Sequence, residues 1–276
     1  MFCMLFFVEI TVFGVLLILL LIFSILVSLK TIIPYTPIAK KQIDDATDKA
    51  GDILKLLIHN VYQYNTEYDK LLELIKEQSP DVILLLETGI EWDRATQSLK
   101  SDYPYVVKEI RENTYGIIMM TRLPVLEGGI NHLVSEEIPS AEMLVKVGEQ
   151  QVRILGIHPE PPLPGHASTS IPKEKEILAS ATYLSTKLNL DHAILAGDLN
   201  DVAWSNVSKK FKNITGMKDP REGRGFYSTF PTYFPIRIPL DNIFCSETFR
   251  LHSFDRLRNI GSDHYPLMIT LQLPTR

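Results

Sequence analysis

Cysteine is almost absent from this chain of 276 residues, which contains only Cys3 and Cys245. The two lie at opposite ends of the sequence, so they cannot form the disulfide framework of a small secreted fold. An excess of basic residues is also absent, since the formal net charge is -5. This balance argues against a broad basic surface that grips nucleic acid through many phosphate contacts, although it leaves room for a local basic groove.

Charged residues are absent from residues 10–29, where leucine, isoleucine, valine and phenylalanine dominate. An apolar run of about 20 residues is long enough to cross the core of a bilayer. We therefore predict a transmembrane anchor over residues 1–30, a juxtamembrane linker over residues 31–51 and one folded domain over residues 52–276. A domain of this size can bury a substantial core without disulfides.

Two other interpretations compete with a membrane anchor. A cleaved signal peptide has a basic segment before the apolar run and a small-residue cleavage site after it, and this sequence has neither before Lys30. A buried core helix is seldom so uniformly apolar. Lys30, Lys40 and Lys41 follow the run, so the positive-inside rule favours a cytoplasmic domain, but we leave the side of the membrane undecided.

The remainder of the chain shows many short apolar runs and little helical periodicity. The runs predict strands over residues 52–62, 81–86, 115–121, 143–147, 152–158, 193–196, 240–244, 251–254 and 267–273, and apolar spacing predicts helices over 68–78 and 174–188. Many buried strands with few helices fit two packed sheets with helices outside them. We expect a layered α/β sandwich.

Polar side chains stand at the ends of several predicted strands. Glu87 follows the apolar run 81–86 directly, and Asn60 follows Leu57-Ile58-His59. A rigid sheet can hold such side chains at a common rim, and a carboxylate there suits a hard divalent cation. Taken alone, each has a plainer interpretation, since most glutamates are solvated and most asparagines in turns bond their own backbone.

The segment Gly197-Asp198-Leu199-Asn200 follows another buried strand and presents a carboxylate and an amide two residues apart. An Asx turn is an equally good interpretation of this segment alone. His158 also ends a strand. It is either a packed histidine or a donor for the charge that develops on a phosphoryl group.

The segment Ser262-Asp263-His264 precedes the last predicted strand. A histidine here can take a proton from water while a carboxylate fixes its tautomer. Adjacent side chains at a strand end tend to diverge, so Asp241 is a better orienting partner than Asp263. That assignment leaves Asp263 available to a metal.

Together, the ordered set resembles the endonuclease/exonuclease/phosphatase superfamily, the DNase I-like enzymes, over about residues 52–275. The residues that carry the resemblance are Asn60-Val61, Glu87, Tyr115-Gly116, Thr121-Arg122-Leu123-Pro124, His158, Gly197-Asp198-Leu199-Asn200, Asp241 and Ser262-Asp263-His264. Each motif is common, but so many separated motifs in this order are highly specific. The resemblance implies a four-layer α/β/β/α sandwich of two mixed sheets, here preceded by an N-terminal transmembrane helix, with its site at one rim.

The resemblance also implies a role for each residue in a Mg²⁺-dependent phosphoester hydrolase, with Mn²⁺ as an alternative ion. The metal ligands would be Glu87, Asn60 and Asp263, and the catalytic residues would be His264, Asp241, Asp198, Asn200 and His158. In this scheme His264 is the general base for water and Asp241 orients it. Tyr62 stands where many members that cut DNA carry an acidic or small residue, which favours chemistry with one metal.

Three functions fit the sequence. The first is a membrane-tethered nuclease or phosphodiesterase, and the second is a phospholipid or inositol-phosphate hydrolase. The third is a catalytically silent membrane scaffold, against which the intact site argues. The expected partners are a nucleic acid or a phospholipid headgroup and, through the N-terminal helix, the membrane; we infer no obligate protein partner. The segment 219–239 either contacts substrate through its arginines and aromatic residues or packs on the sheet as an ordinary loop.

Overall fold

The computed structural model describes residues 12–46, 51–162, 170–187 and 192–274. Residues 1–11 of the predicted anchor, residues 47–50 of the predicted linker and the last residue of the predicted helix 174–188 lie outside the described residues.

Helix α1 (Val12–Ile32) opens the described chain and leads directly into a single 3-10 turn, Ile33–Tyr35. No residue of α1 is buried. Within the described part of the chain, this is the one helix that is long and apolar enough to cross a membrane, with a mean hydropathy of 3.1 in an 18-residue window of Val12–Tyr35.

Eleven strands, four more α-helices and a second 3-10 turn, Gln97–Leu99, follow in the described residues. The strands are β1 (Ile53–Asn60), β2 (Val82–Leu86), β3 (Tyr105–Glu109), β4 (Ile117–Thr121), β5 (Val125–Asn131), β6 (Ser140–Val147), β7 (Gln150–Gly156), β8 (Ala193–Asp198), β9 (Asp241–Cys245), β10 (Arg250–Arg256) and β11 (Leu267–Gln272). The helices are α2 (Tyr68–Gln78), α3 (Ile90–Thr96), α4 (Ser170–Lys187) and α5 (Asn206–Thr215).

The strands form two mixed sheets. One has six strands in the order β10-β11-β1-β2-β4-β3, and the other has five in the order β5-β6-β7-β8-β9. One apolar cluster fills the space between the sheets, and it includes Leu56, Leu84 and Ile154. A second cluster joins the five-stranded sheet to α4 and α5, and a third joins the six-stranded sheet to α2 and α3. The predicted four-layer α/β/β/α sandwich is therefore confirmed.

Strand direction explains why distant residues meet at one rim. β1 and β2 run parallel, with Asn60 opposite Leu86, so their carboxyl ends lie side by side. β11 is antiparallel to β1, which brings the residues before β11 to the same edge. In the other sheet, β7 and β8 are parallel and β9 is antiparallel to β8, with Asp198 opposite Asp241. The two edges face each other across the sandwich.

Candidate active site

Gly197 allows β8 to deliver Asp198 to the rim. Its φ is +148°, and a Cβ atom built there would lie 1.9 Å from the carbonyl oxygen of Ile157. No side chain fits between the two strands, so only glycine permits this close approach. Asp198, the next residue, is almost fully buried and ends β8.

A buried pair consists of His264 and Asp241. The Nδ1 atom of His264 lies 2.8 Å from Oδ2 of Asp241. Ser262 holds the histidine in place, because its hydroxyl donates to the carbonyl of Asn60 at 2.7 Å and accepts from the backbone N–H of His264 at 3.0 Å. The segment before β11 is thereby fastened to the end of β1.

Asp198 lies at the centre of the cluster. Its Oδ2 atom is 3.5 Å from Nε2 of His264 and 3.8 Å from Nε2 of His158, and it accepts a hydrogen bond from the amide of Asn60 at 3.1 Å. Its Oδ1 atom accepts from the backbone N–H of Asn200 at 2.9 Å. Burial alone would raise the pKa of Asp198, but His264, His158 and the hydrogen bonds from Asn200 and Asn60 together lower it.

Asn60 connects this cluster to Glu87. Its amide donates to Oε1 of Glu87 at 2.9 Å as well as to Asp198. Glu87 has a φ of +59° and Asn200 a φ of +48°, a left-handed conformation that is uncommon for residues other than glycine. Backbone strain of this kind concentrates at functional sites. Asp263 is half-buried beside them, and burial raises its pKa.

The carboxylates determine the charge of His264. Burial alone would lower its pKa, but Asp241, Asp198 and Asp263 together raise it to about 10. This environment therefore stabilises the imidazolium form. His158 is buried as well, and its Nδ1 atom has no hydrogen-bond partner among the described residues.

All eight predicted site residues lie at this rim. The ring of Phe230, one of the aromatic residues of the segment 219–239, lies 4.8 Å from that of His264. The structure also adds one residue that the sequence analysis did not single out. The buried amine of Lys173 donates to the carbonyl of Asn200 and to Asp201, both at 3.2 Å. Lys173 sits at a helical position with no distinctive neighbours, so no sequence signal identifies it.

The segment 219–239 has a mixed outcome. Arg221, grouped in the sequence with residues that could touch substrate, is fully buried and paired with Asp219. An ion pair satisfies this guanidinium inside the protein, so it faces no ligand. Tyr233 and Ile236, in contrast, are 79% and 73% exposed, and the backbone N–H of Thr232 bonds the carbonyl of Asp263 at 2.9 Å. The part of the loop around Thr232 therefore borders the site, whereas Phe226 and Tyr227 pack against the core clusters as an ordinary loop would.

Two groups of oxygen and nitrogen donors could hold a cation. The first is Asp198, Asp241 and His264, whose ligand atoms lie within 4.8 Å of one another. Two of these ligand atoms, Nδ1 of His264 and Oδ2 of Asp241, are already joined by a hydrogen bond, so they are not free to bind a cation. The second group is Glu87 with Asn60, whose oxygen chemistry matches a hard divalent ion.

The comparisons with known proteins agree with this architecture. The chain matches the model of the "Endonuclease/Exonuclease/phosphatase family" over residues 57–264, which is more than half of its length. It belongs to that family, as the sequence predicted, and its class is that of the phosphoester hydrolases. A search of the curated proteins finds no match.

Solved structures share the fold. TDP2 from D. rerio, crystallised with a single strand DNA product, has a TM-score of 0.66 and 17% identity, and the match covers 80% of this chain and 99% of that one. Sphingomyelinase C from Streptomyces griseocarneus has a TM-score of 0.58 and 16% identity, with 79% and 99% covered. A functionally unknown conserved protein from Enterococcus faecalis has a TM-score of 0.64 and 16% identity, with 80% and 100% covered.

Proposed function

We propose that this chain is a membrane-tethered, divalent-metal-dependent phosphoester hydrolase of the nuclease or phosphodiesterase type. The observation that carries the proposal is the meeting of two units at one rim, the pair His264 and Asp241 and the pair Glu87 and Asn60. The first pair can accept a proton from water and the second can bind a cation, which are the two requirements of metal-assisted hydrolysis. Family membership supports the same class.

The donor set fits Mg²⁺, with Mn²⁺ as an alternative. Glu87, Asn60 and Asp263 offer carboxylate and amide oxygens, the ligands that hard divalent ions prefer. The amide nitrogen of Asn60 donates to the Glu87 carboxylate, and its oxygen accepts from the N–H of Tyr62 at 3.0 Å. If the amide turned over and gave up the bond from Tyr62, its oxygen would face the Glu87 carboxylate instead. We propose one ion at these residues. When bound, it would neutralise charge on the phosphoryl oxygens and offset the carboxylates around His264, bringing the imidazole toward its neutral form.

His264 is the proposed general base. Its Nδ1 atom is occupied by Asp241, so Nε2 is the atom left to accept a proton from the attacking water. Water attacks the phosphorus in line with the leaving oxygen, and no covalent intermediate forms. Asp198 positions the water as a hydrogen-bond acceptor, Asn200 positions the water or stabilises the leaving oxygen, and His158 contacts the scissile phosphate.

Exposed aromatic residues support a nucleic-acid substrate. Tyr62 and Tyr64 follow Asn60, both are exposed, and their ring centroids lie 5.6 Å apart. Such rings can stack on the bases of a single strand, and this stacking is possible with any base. The TDP2 structure with a single strand DNA product shows that this fold can hold such a molecule. The acidic net charge favours a short, end-directed contact over a long duplex interface.

A phospholipid headgroup is the second candidate, favoured by a separate observation. The loop beside Asp263 exposes Tyr233, Phe234 and Ile236, and apolar side chains of this kind enter the boundary region of a bilayer. Helix α1 would keep the site near such a surface, since none of its residues is buried against the domain. Similarity to a sphingomyelinase fold is consistent with this candidate.

One assay distinguishes the two candidates. The full-length chain in phosphatidylcholine vesicles is incubated with single-stranded DNA, duplex DNA, sphingomyelin and phosphoinositides, with Mg²⁺ and with a chelator. We expect metal-dependent cleavage of single-stranded DNA. Cleavage of a lipid alone would select the second candidate, and no cleavage of any substrate would contradict the proposed activity.

A further inference from the structure

The segment that joins α1 to the domain, residues 33–45, is packed into the sandwich. Tyr35 is 3% exposed and Ile43 is fully buried. Tyr35 belongs to the cluster beneath α4 and α5, and Ile43 belongs to the cluster between the sheets. The segment ends against β10, where the backbone N–H of Leu251 bonds the carbonyl of Asp44 at 2.9 Å.

The segment crosses the turn at Gly223 with almost no clearance. The N–H of Gly223 bonds the carbonyl of Pro34 at 2.7 Å. Gly223 has a φ of +78°, and a Cβ atom there would lie 2.9 Å from both the carbonyl oxygen of Ala39 and the Cα atom of Lys41. A close fit of this kind fixes the position of Tyr35 relative to the neighbouring turn.

Tyr35 reaches the catalytic residues through buried polar contacts. Its ring packs against those of Phe226 and Trp204, each 5.3 Å away between centroids. Its hydroxyl donates to Oδ2 of Asp219 at 3.2 Å, and the same oxygen accepts from Nη2 of Arg221 at 2.9 Å. Asp219 and Arg221 are both fully buried.

Arg221 in turn holds the beginning of β9. It donates to the carbonyl of Asp241 at 3.2 Å and to the side-chain oxygen of Asn242 at 2.6 Å. The Asp241 side chain contacts His264 at 2.8 Å. The backbone that presents this carboxylate is therefore fastened to a buried cation.

We propose that Tyr35 is a positioning residue, which acts through Asp219 and Arg221 to hold Asp241 where it can orient His264. Tyr35 lies three residues after the end of α1. A continuous series of buried contacts therefore connects the segment next to this helix with the pair of Asp241 and His264. Without the hydroxyl, Oδ2 of Asp219 loses a donor in a place that water does not reach, and the guanidinium is held less firmly. This inference rests on the proposed hydrolase function.

The test compares two substitutions that each remove one buried hydroxyl from the full-length chain. Tyr35→Phe keeps the stacked ring and removes only its donor. Tyr103→Phe is the control, because Tyr103 is also 3% exposed and lies in the layer beneath α2 and α3. Its hydroxyl donates to the carbonyl of Pro80 at 2.9 Å and accepts from Nη2 of Arg122 at 2.7 Å, so this change removes at least as many bonds as Tyr35→Phe. A purely structural effect would change both variants alike.

We expect kcat of Tyr35→Phe to fall on the order of 10-fold with KM unchanged, since small displacements of a catalytic group weaken the reaction step. Tyr103→Phe should keep both constants. Amide hydrogen exchange should become faster at residues 241–245 in Tyr35→Phe and stay at the wild-type rate there in Tyr103→Phe.

Wild-type kcat in Tyr35→Phe, or an equal loss in Tyr103→Phe, would overturn the inference. A wild-type chain that cleaves no substrate would refute the proposed function instead. Hydrogen exchange does not depend on turnover, so unchanged exchange at residues 241–245 in Tyr35→Phe would overturn the positioning role in that case too.

Discussion

His264 and Asp241 lie on different sheets, and the 2.8 Å contact between Nδ1 and Oδ2 joins them. His264 precedes β11 of the six-stranded sheet, while Asp241 begins β9 of the five-stranded sheet. The pair therefore forms only when the two sheets pack against each other. The geometry of this pair therefore depends on the packing of the two sheets.

Replacing Asp241 with asparagine tests the orienting role. The amide keeps the size of the carboxylate but favours the wrong tautomer of His264 and removes its negative charge. We expect kcat to fall by about 10²- to 10⁴-fold, the range in which general-base catalysis contributes. Initial rates of the full-length chain at saturating substrate measure the effect.

The control for this substitution is Asp102→Asn, which changes an exposed carboxylate in the turn before β3. It should retain the wild-type rate, because an exposed aspartate that contacts no site residue contributes little. Equal rates for Asp241→Asn and the wild type would remove Asp241 from the mechanism.

Replacing Glu87 with glutamine tests the metal site. The change removes the only full negative charge in the pair with Asn60, so the ion should bind less tightly. We expect the Mg²⁺ concentration for half-maximal rate to rise about 10- to 100-fold, as losses at metal sites typically do. A chelator should abolish wild-type activity. Glu91→Gln, on the exposed face of α3, is the control, and an unchanged Mg²⁺ requirement in Glu87→Gln would argue for another site.

Glu176 should make the stability of the protein depend on pH. It is buried in α4, and neither carboxylate oxygen has a hydrogen-bond partner among the described residues. Burial raises its pKa from 4.5 to about 7, against a smaller opposing effect of His132. The folded state thus favours the protonated form, so its stabilising contribution is complete below pH 4.5 and is lost as the pH rises through about 7.

We expect the free energy of unfolding of the wild type to include a loss of roughly 2–3 kcal/mol from this group between about pH 5 and about pH 8. Glu176→Gln should remove that part of the pH dependence, and Glu174→Gln, exposed on the same helix, should not. Urea denaturation at both pH values measures the difference. Parallel pH profiles for Glu176→Gln and the wild type would show that the carboxyl is not protonated in the folded state.

Residues at the rim should identify the substrate class. If single-stranded DNA is the substrate, Tyr64→Ala should raise its KM on the order of 10-fold, because stacking on one base contributes about 1–3 kcal/mol. If a lipid is the substrate, Ile236→Ser should instead lower the rate on vesicles. Tyr105→Ala, an exposed tyrosine on β3 at the edge of the six-stranded sheet, serves as the control. Unchanged kinetics in both rim variants would show that neither side chain contacts substrate.

The sequence predicted the sheets well where strands are buried on both faces. β2 and β4 are buried throughout and appear as unbroken apolar runs. It missed β3 and β5, which are half-exposed edge strands; β5 also contains Gly128 and Gly129, residues that weaken a strand pattern. Helix α2 was predicted with its observed bounds because its apolar residues recur on one face.

The site residues could be named from sequence because each stands at a strand end beside a distinctive neighbour. The buried contacts that hold these residues in place could not be predicted from the sequence. Arg221 lies in a loop rich in proline and aromatic residues, and its burial depends on Asp219 and Asn242, which only the packed sheets bring to it. Tyr35 follows an apolar helix in a segment that the sequence presents as a linker. Burial by tertiary contacts leaves no periodic signal in such segments.

The rate of a single turnover by His264→Gln tests the central claim most directly. In separate reactions, the full-length wild type or the variant is mixed with a smaller amount of substrate at saturating Mg²⁺. Each enzyme molecule then turns over at most once, so product release does not limit the measured rate. Glutamine keeps a polar side chain at the rim but cannot accept the proton from water. We predict a rate at least about 100-fold below that of the wild type. A variant that cleaves at the wild-type rate would contradict the assignment of His264 as the base.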